Sequence, residues 1–391
     1  MYVFALMEIS ERVEKLSPSL TLAVDAKAKA LKAEGVDIIA FAAGEPDFDT
    51  PEHIKAAAMG SLDAGFTKYT PAAGIPELRS AISEKLKADN NLDYEASQII
   101  VTCGAKHACY NALLATINPG DEVLIPAPYW TSYPEMVKLV GGEPIIVPTT
   151  AESGYKITPG QFLEYMSPLT KMLILNTPGN PTGTVYNENE LAALADVALD
   201  EDMLILSDEI YEKLVYDGAK HVSIASFSKD IYDKVLTING FSKPYSMTGW
   251  RLGYVAAPKN IAAKIDSLQS HSTSNATSFA QKGALAAYKG PQDCVEEMLA
   301  EYTKRRARVC EILDGITNLS YVKPMGAFYF LVDISETGMT STKFAEDLLS
   351  EEKVAVVPGL AFGDDKTIRI SYATSMENIE KGLQRLKKFV S

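Results

Sequence analysis

The hydrophobic residues in the middle of the chain fall into short unbroken runs, with longer segments of helical character between them. The runs span residues 98–102, 122–126, 144–147, 171–175, 203–206 and 234–238. Segments 105–117 and 188–199 have the apolar spacing of helices, and Thr158, Pro159 and Gln161 have the pattern of a helix start. Fully apolar strands separated by helices are typical of a parallel sheet covered on both faces. The pattern predicts an α/β fold with a mostly parallel central sheet flanked by helices.

The last hundred residues follow a different pattern. A charge-rich helical segment, 293–313, precedes an aromatic strand at 326–332, and a final helix places Ile379, Leu383 and Leu386 on one face. We therefore predict a large domain at 45–290 and a smaller α/β domain at 291–391. The N-terminal segment, 1–44, is expected to contribute to the smaller domain.

Composition narrows the class of protein. A net charge of -14 over 391 residues argues against a nucleic-acid partner, which would require a basic face. The four cysteines form no C-x-x-C pair and there are only four histidines, so no zinc-ligand spacing occurs. No run reaches the roughly 18 apolar residues of a membrane span. Residues 1–7 are apolar but lack a basic flank, so we expect no signal peptide and a cytoplasmic protein.

Unusual residues follow five of the predicted strands. They are Gly104-Ala105-Lys106, Pro128-Tyr129-Trp130, the segment 176–180, Ser207-Asp208-Glu209 and Ser242-Lys243. In open α/β sheets, ligands bind beyond the carboxyl ends of the strands. The sequence therefore predicts a binding crevice into which these five strand ends converge.

The chemistry of this crevice is suggested by Lys243, which lies among small and aromatic residues with Arg251 eight positions later. Such surroundings suit an amine that forms a Schiff base and a guanidinium that binds an anion. Asp208 follows a buried strand, and a buried carboxylate needs a partner. A pyridinium would serve, whereas the alternative is a cap for a following helix. The turn at Gly104 and Arg251 are both candidates for holding a phosphate.

Three further residues fit a pyridine cofactor. Trp130 follows a strand end, where it could stack on a ring, although a place in the core is the commoner fate of tryptophan. Asn180 and Tyr211 could donate hydrogen bonds to a phenolate oxygen and lower the pKa of an imine.

Together these residues closely resemble those of the class I aminotransferases, pyridoxal-phosphate enzymes of fold type I, and most closely the prokaryotic-type aspartate aminotransferases. The matching motifs are 43–51 (AGEPDFDTP), 68–70 (KYT), 176–183 (NTPGNPTG), 207–211 (SDEIY), 242–243 with 247–251 (SK and MTGWR) and 369–373 (RISYA). They occur in the family's order and span nearly the whole chain.

The resemblance implies a role for each residue around the cofactor, pyridoxal 5′-phosphate. Lys243 would form the Schiff base and shuttle the proton in a 1,3-shift. Asp208 would pair with the pyridine nitrogen, Asn180 and Tyr211 would bind the phenolic oxygen, and Trp130 would stack on the ring beside the substrate.

The resemblance also implies a phosphate site and a homodimer. The phosphate ligands would be Gly104, Ala105, Ser242 and Arg251, joined by Tyr69 of the neighbouring subunit. The chain departs from certain aspartate aminotransferases at Gly240, where those enzymes have a phosphate-binding serine.

For the substrate, the resemblance implies that Arg369 binds the α-carboxylate, with Asn180 and the backbone of Gly44 nearby. Lys106, in the turn that faces the cofactor, would bind the distal carboxylate of a dicarboxylic amino acid. The alternative for Lys106 is an exposed lysine, although its charge opposes the helix dipole there. Arg12 resembles a residue of a mobile N-terminal segment that covers the site, and its alternative is also an exposed side chain.

The expected reaction is transamination between L-aspartate and 2-oxoglutarate, giving oxaloacetate and L-glutamate. Prephenate, aromatic or alanine substrates stay open. So do a C–S β-lyase and an aminocyclopropane-carboxylate synthase on the same fold. A transcription regulator with an aminotransferase-like domain is disfavoured, because the forty or so residues before Gly44 contain no helix-turn-helix pattern.

Overall fold

The computed structural model describes residues 9–391, in which three sheets are surrounded by helices. The strands are β1 (Ile39–Ala40), β2 (Ile99–Thr102), β3 (Glu122–Ala127), β4 (Glu143–Pro148), β5 (Thr170–Asn176), β6 (Leu204–Asp208), β7 (Val235–Gly240), β8 (Gly253–Ala256), β9 (Ser320–Tyr321), β10 (Tyr329–Asp333), β11 (Val354–Ala355), β12 (Val357–Pro358) and β13 (Thr367–Ser371). The helices are α1 (Glu11–Glu14), α2 (Leu20–Ala33), α3 (Glu52–Asp63), α4 (Pro76–Asn90), α5 (Ala105–Thr116), α6 (Ser132–Val140), α7 (Pro159–Glu164), α8 (Glu188–Asp200), α9 (Lys229–Tyr232), α10 (Lys259–Ser270), α11 (Ser278–Lys289), α12 (Asp293–Leu313), α13 (Ser341–Glu352) and α14 (Met376–Val390).

The largest sheet has seven strands in the order β2-β8-β7-β6-β5-β3-β4. Strands β3 to β7 run parallel to one another, whereas β8 is antiparallel to both of its neighbours. The predicted mostly parallel sheet is confirmed. Strand β8 was not predicted, because four residues beginning with a glycine carry little strand signal.

Alternate residues of the central strands enter different cores, which explains the unbroken apolar runs. Leu124 and Leu173 belong to the core on one face of the sheet. Their neighbours Val123 and Met172 belong to the core on the other face. A strand buried on both faces has no polar side.

The predicted start of α7 is also confirmed. The Thr158 hydroxyl accepts a hydrogen bond from the Gln161 amide at 3.2 Å, and the Gln161 side chain accepts one from the Thr158 amide at 3.1 Å. This reciprocal pair is a capping box, with Pro159 in the first turn.

The C-terminal residues form a separate four-stranded antiparallel sheet, β12-β13-β10-β9, with its own core. Ile379, Leu383 and Leu386 of α14 are fully buried in that core, as their spacing predicted. Near the other end of the chain, β1 pairs in parallel with β11. The division into 1–44, 45–290 and 291–391 stays a prediction.

Two sequence predictions concern the membrane and secretion. Within residues 9–391, no helix is both long enough and apolar enough to cross a membrane. The apolar segment 1–7 lies outside the described residues.

Candidate active site

A cavity of about 960 Å³ lies at the carboxyl ends of the strands of the large sheet. The predicted residues that line it are Gly44, Ala105, Lys106, Trp130, Asn180, Asp208, Tyr211, Ser242, Lys243, Arg251 and Arg369. Segment 16–22, before and at the start of α2, also contributes to the wall. The structure therefore brings the five predicted strand ends together in one crevice.

Lys243 lies just after β7, and its side chain is half-buried in this cavity. Its ammonium group donates a hydrogen bond to the Gly44 carbonyl and lies 5.6 Å from the centre of the Tyr211 ring and 5.7 Å from that of Phe328. Burial lowers the pKa of Lys243 to about 8, although the nearby Glu45 carboxylate acts in the opposite direction. A lysine with such a pKa has a substantial neutral fraction near pH 8 and can act as a nucleophile or base.

Asp208 is the last residue of β6 and is only 3% exposed. Its Oδ2 atom accepts a hydrogen bond from the Tyr133 hydroxyl at 2.7 Å, and Oδ1 accepts one from the Ile210 amide at 3.2 Å. Burial raises the pKa of Asp208 to about 6. No cation pairs with it among residues 9–391, and no α-helix begins directly after it. The alternative of a helix cap is therefore wrong, and the carboxylate has room for a cationic partner from a ligand.

The turn between β2 and α5 forms a concave surface against Arg251. Gly104 precedes the helix with φ of 92°, and a Cβ atom there would lie 2.5 Å from Nη2 of Arg251. The guanidinium donates through Nη1 to the Thr248 carbonyl at 2.8 Å. Free amides at a helix N-terminus beside a guanidinium make an anion site. This arrangement fits a phosphate group.

Arg369, on β13, is a buried cation with neutral partners only. Nη1 donates to Oδ1 of Asn180 at 3.0 Å, and Nη2 donates to the Ala42 carbonyl at 2.8 Å. Its Nε atom is buried and has no partner within the described structure. The guanidinium lies 4.4 Å from the centre of the Tyr329 ring. Burial lowers the pKa of Arg369, so an anionic ligand would stabilise its charged form.

Lys106 and Trp130 meet at the wall of the cavity. The Lys106 ammonium lies 4.9 Å from the centre of the Trp130 ring, which packs edge-on against Tyr133. Burial, and then the charge of Arg251, lower the pKa of Lys106. Lys106 thus lines the cavity as predicted, but it is also an exposed lysine, as the alternative held, and its role in binding a substrate stays a prediction.

Gly104 itself is not among the residues that line the cavity, although its neighbour Ala105 is. Two other predicted residues also lie outside it. Arg12 is exposed on α1 and is not among the described residues that line the cavity. Tyr69 is 89% exposed and also lies outside the lining. The roles assigned to both stay predictions.

The departure at Gly240 has a packing reason. A Cβ atom there would lie 2.9 Å from the Gly253 Cα and 3.0 Å from the Leu252 carbonyl oxygen. The close approach of β7 and β8 therefore leaves no space for a serine.

Sequence reasoning missed two tyrosines of the site. The Tyr329 hydroxyl, on β10, lies 2.9 Å from that of Tyr211 in the turn after β6, and the Tyr133 hydroxyl donates a hydrogen bond to Asp208. Tyr329 lies in the aromatic strand noted in the sequence, and Tyr133 lies three positions after Trp130. The sequence around these tyrosines does not indicate which residues they contact, because Tyr329 is 118 residues from Tyr211 and Tyr133 is 75 residues from Asp208.

The similarity to known proteins agrees with this geometry. The family model for aminotransferase class I and II matches residues 36–386. The chain is 50% identical over 387 residues to the aspartate aminotransferase of Bacillus sp. (strain YM-2), with 98% of this chain and 99% of that protein covered. It is 48% identical to a probable aspartate/prephenate aminotransferase of Aquifex aeolicus (strain VF5), with 97% and 98% covered. The solved structure of Thermus thermophilus aspartate aminotransferase with maleate has a TM-score of 0.94 at 44% identity and covers 98% of this chain and 100% of that one. The chain therefore belongs to aminotransferase class I and II, and the predicted family and fold are confirmed.

Proposed function

We propose that this aminotransferase uses pyridoxal 5′-phosphate to exchange an amino group between L-aspartate and 2-oxoglutarate. The observation that carries the proposal is that one cavity contains a half-buried amine and a buried carboxyl whose pKa values are shifted in opposite directions. Lys243 is an amine whose pKa is lowered to about 8, and Asp208 is a carboxyl whose pKa is raised to about 6. Opposite shifts of this kind are characteristic of acid–base sites.

The residues of the cavity fit the cofactor. Gly104, Ala105, Ser242 and Arg251 would hold the phosphate, where the glycine leaves a space that a Cβ atom would fill. Asp208 would hold the protonated pyridine nitrogen, because it is buried without a cation of its own. Tyr211 and Asn180 would donate hydrogen bonds to the phenolic oxygen, and Trp130 would cover the ring. When bound, the cofactor supplies an electron sink for negative charge at the substrate Cα.

Lys243 then has two tasks that follow from its surroundings. Its lowered pKa makes the neutral amine available to attack a carbonyl carbon. The same amine lies in the cavity, 5.6 Å from the centre of the Tyr211 ring. There it would take the proton from the substrate Cα and deliver it to the C4′ carbon of the cofactor, which completes the 1,3-shift. Two neighbouring cations, Arg251 and Arg369, help to keep the pKa low.

Two cations on different walls support a dicarboxylic substrate. Arg369, which lines the cavity and has only neutral acceptors, would bind the α-carboxylate near Gly44 and Asn180. Lys106 would bind the distal carboxylate beside Trp130. The Thermus relative was solved with maleate, a four-carbon dicarboxylate, which is consistent with this arrangement.

We also propose a cytoplasmic homodimer. The exposed Tyr69 ring would reach the phosphate in the partner subunit's cavity, as the family resemblance implies. Chemical cross-linking together with Tyr69→Phe would test this, because the variant should retain the dimer and bind the cofactor more weakly.

A second candidate acceptor is prephenate, which the name of the Aquifex relative favours. Arg12 is the candidate residue for this additional substrate. A panel of amino acceptors containing 2-oxoglutarate, oxaloacetate and prephenate would rank them, and release of pyruvate from sulfur-containing amino acids would reveal a C–S β-lyase instead.

The decisive experiment concerns Lys243. Borohydride reduction of the cofactor-loaded protein should fix the cofactor to a peptide containing Lys243. Lys243→Ala should lose both this adduct and transamination. The same amount of adduct in Lys243→Ala, on a different lysine, would refute the assignment.

A further inference from the structure

Behind Asp208 and Tyr211, on the side away from the cavity, lie two buried carboxylates that the proposed reaction does not use. Glu209 is fully buried and Glu212 is 7% exposed, and neither lines the cavity. In the same turn, Asp208, Ile210 and Tyr211 line the cavity. The turn therefore has some side chains towards the cavity, whereas Glu209 and Glu212 lie in the protein interior.

Glu209 is held by three donors. The hydroxyls of Ser207 and Ser223 donate to Oε1 at 2.8 and 2.7 Å, and Nε2 of His221 lies 3.0 Å from Oε2. The backbone amide of Glu209 also donates to the Ile238 carbonyl at 2.9 Å, which fixes it to strand β7. The side chain therefore ties the end of β6 to the segment 221–223.

Glu212 is held by a different part of the chain. It pairs with Lys85 and accepts a hydrogen bond from the Asn90 side chain at 2.8 Å, and both residues lie on α4. Burial acts to raise the pKa of Glu212, but the charges of Lys85 and His221 and the hydrogen bonds from Lys85 and Asn90 together outweigh it and lower this pKa to about 2. The two carboxylates thus anchor the two ends of the turn to separate elements.

A cation site is the first alternative for this cluster. Ligand atoms of Glu209, Glu212 and His221 lie within 4.8 Å of one another. Protein donors already occupy both carboxylates, however, and Lys85 brings a positive charge. The cluster is complete without a metal ion.

Stability alone does not account for a fully buried carboxylate. Removing a charge from water costs several kcal/mol, and well-packed apolar residues in place of buried ionic groups are often neutral or stabilising. What the hydrogen bonds of Glu209 provide in addition is a fixed geometry. Displacements of about 1 Å at a catalytic group can lower a rate about a hundredfold.

We infer that Glu209 is a positioning residue: by joining Ser207, His221 and Ser223 behind the turn, it fixes the direction of Asp208 and Tyr211 into the cavity. This inference rests on the proposed function, in which those two residues contact the cofactor.

The test compares Glu209→Ala with Glu209→Gln in cofactor-loaded protein. Glu209→Ala should lower kcat per loaded site about tenfold or more and release the cofactor faster on dialysis. The KM for aspartate should stay within about twofold of the parent value, because Arg369 lies on another sheet. Glu209→Gln should restore most of the kcat, since its remaining oxygen still accepts from both serines.

Glu122→Ala is the matched control. Glu122, at the amino end of β3, also accepts from two hydroxyls, those of Ser167 and Thr170, at 2.6 and 3.0 Å. Its replacement removes the same kind of contact far from the cavity, so it should lower thermal stability while kcat per loaded site and cofactor release stay unchanged.

Equal kcat and equal cofactor release in Glu209→Ala and the parent would overturn the inference. If Glu209→Ala does not fold, the double variant His221→Phe with Ser223→Ala leaves Glu209 with Ser207 alone and should show the same losses; parent values there would also overturn it. Borohydride adduct at Lys243 is measured in each variant, so a failure of the proposed function, with no adduct in the parent, is distinguished from a failure of this inference.

Discussion

Two buried arginines of this chain, Arg306 and Arg369, differ in the charge of their hydrogen-bond partners. Arg306 forms a two-pronged pair with Asp217 at 3.1 and 2.6 Å and donates through Nε to the Pro324 carbonyl at 2.7 Å. Arg369 donates to two neutral acceptors, and its Nε atom has no hydrogen-bond partner among the described residues.

Their pKa values shift in opposite directions as a result. Burial acts to lower both. For Arg306 the Asp217 carboxylate more than offsets it, whereas for Arg369 no carboxylate does so among the described residues. We interpret Arg306, which is paired with a carboxylate of the protein, as an arginine that stabilises the fold. Arg369 has no such carboxylate and is therefore available to pair with the carboxylate of a substrate. Substitution of a charged residue should therefore lower stability where the protein supplies the counter-charge, and lower substrate or cofactor binding where it does not.

The largest expected effect is that of Arg369→Ala. It should raise the KM for aspartate and for alanine alike by about a hundredfold or more, equivalent to about 3 kcal/mol, because every amino acid presents an α-carboxylate. Steady-state kinetics with both substrates would measure it. A loss confined to aspartate would assign Arg369 to the distal carboxylate instead.

Arg306→Ala should do the converse. We expect a fall of about 2 kcal/mol in the free energy of unfolding, since the side chain is buried but Asp217 is partly exposed to water. The KM for aspartate should not change. Urea unfolding and kinetics of the same preparation would check both, and a raised KM with parental stability would remove the distinction.

Asp208 extends the comparison to a carboxylate without a cation. Because its pKa in the folded chain, about 6, exceeds its ordinary value of 3.8, the folded state binds a proton that the unfolded state has already lost. Stability of the cofactor-free protein should therefore fall as pH rises from about 4 to 6.

The variant Asp208→Asn should abolish that pH dependence. At pH 8 the cofactor-free variant should be more stable than the parent by roughly 1–2 kcal/mol, and the advantage should shrink towards pH 4. Its transamination rate should be greatly reduced. Lower stability of the variant at pH 8 would show that the hydrogen bonds from Tyr133 and Ile210 stabilise the charged carboxylate more than its burial destabilises it.

The smallest expected effect is that of Lys106→Ala. The preference for aspartate over alanine should fall about fivefold to tenfold, close to 1 kcal/mol. Lys282→Ala is a matched control, because the Lys282 ammonium lies 4.8 Å from the centre of the Phe66 ring outside the cavity, as the Lys106 ammonium lies 4.9 Å from that of Trp130. The control variant should leave the preference for aspartate unchanged. Equal losses for aspartate and alanine would exclude Lys106 as a specificity residue.

The sequence was sufficient for what depends on local pattern. Unbroken apolar runs located strands β2 to β7. The residues at or just after their ends, such as Asp208 and Lys243, were brought together because the ends of parallel strands share an edge. Contacts between distant segments were not predictable in this way. Tyr133 reaches Asp208 from helix α6, and Tyr329 reaches Tyr211 from another sheet; each depends on how separate elements pack.

The wall formed by segment 16–22 was missed for the same reason. Nothing in its composition indicates a binding surface, and only its packing beside the cavity gives it one. Conversely, Arg12 matched a family pattern, but all residues of α1 are exposed and Arg12 does not line the cavity, so its role stays a prediction.

The position of Arg369 on β13 has a consequence for biosynthesis. Strand β13 lies between β12 and β10, and only α14 follows it. As the ribosome extends the chain from its N-terminus, Lys243, Asp208 and Arg251 emerge well before the arginine that would bind the substrate. A chain that terminated before β13 would thus contain the residues proposed to hold the cofactor but would lack the arginine proposed to bind the α-carboxylate of the amino acid.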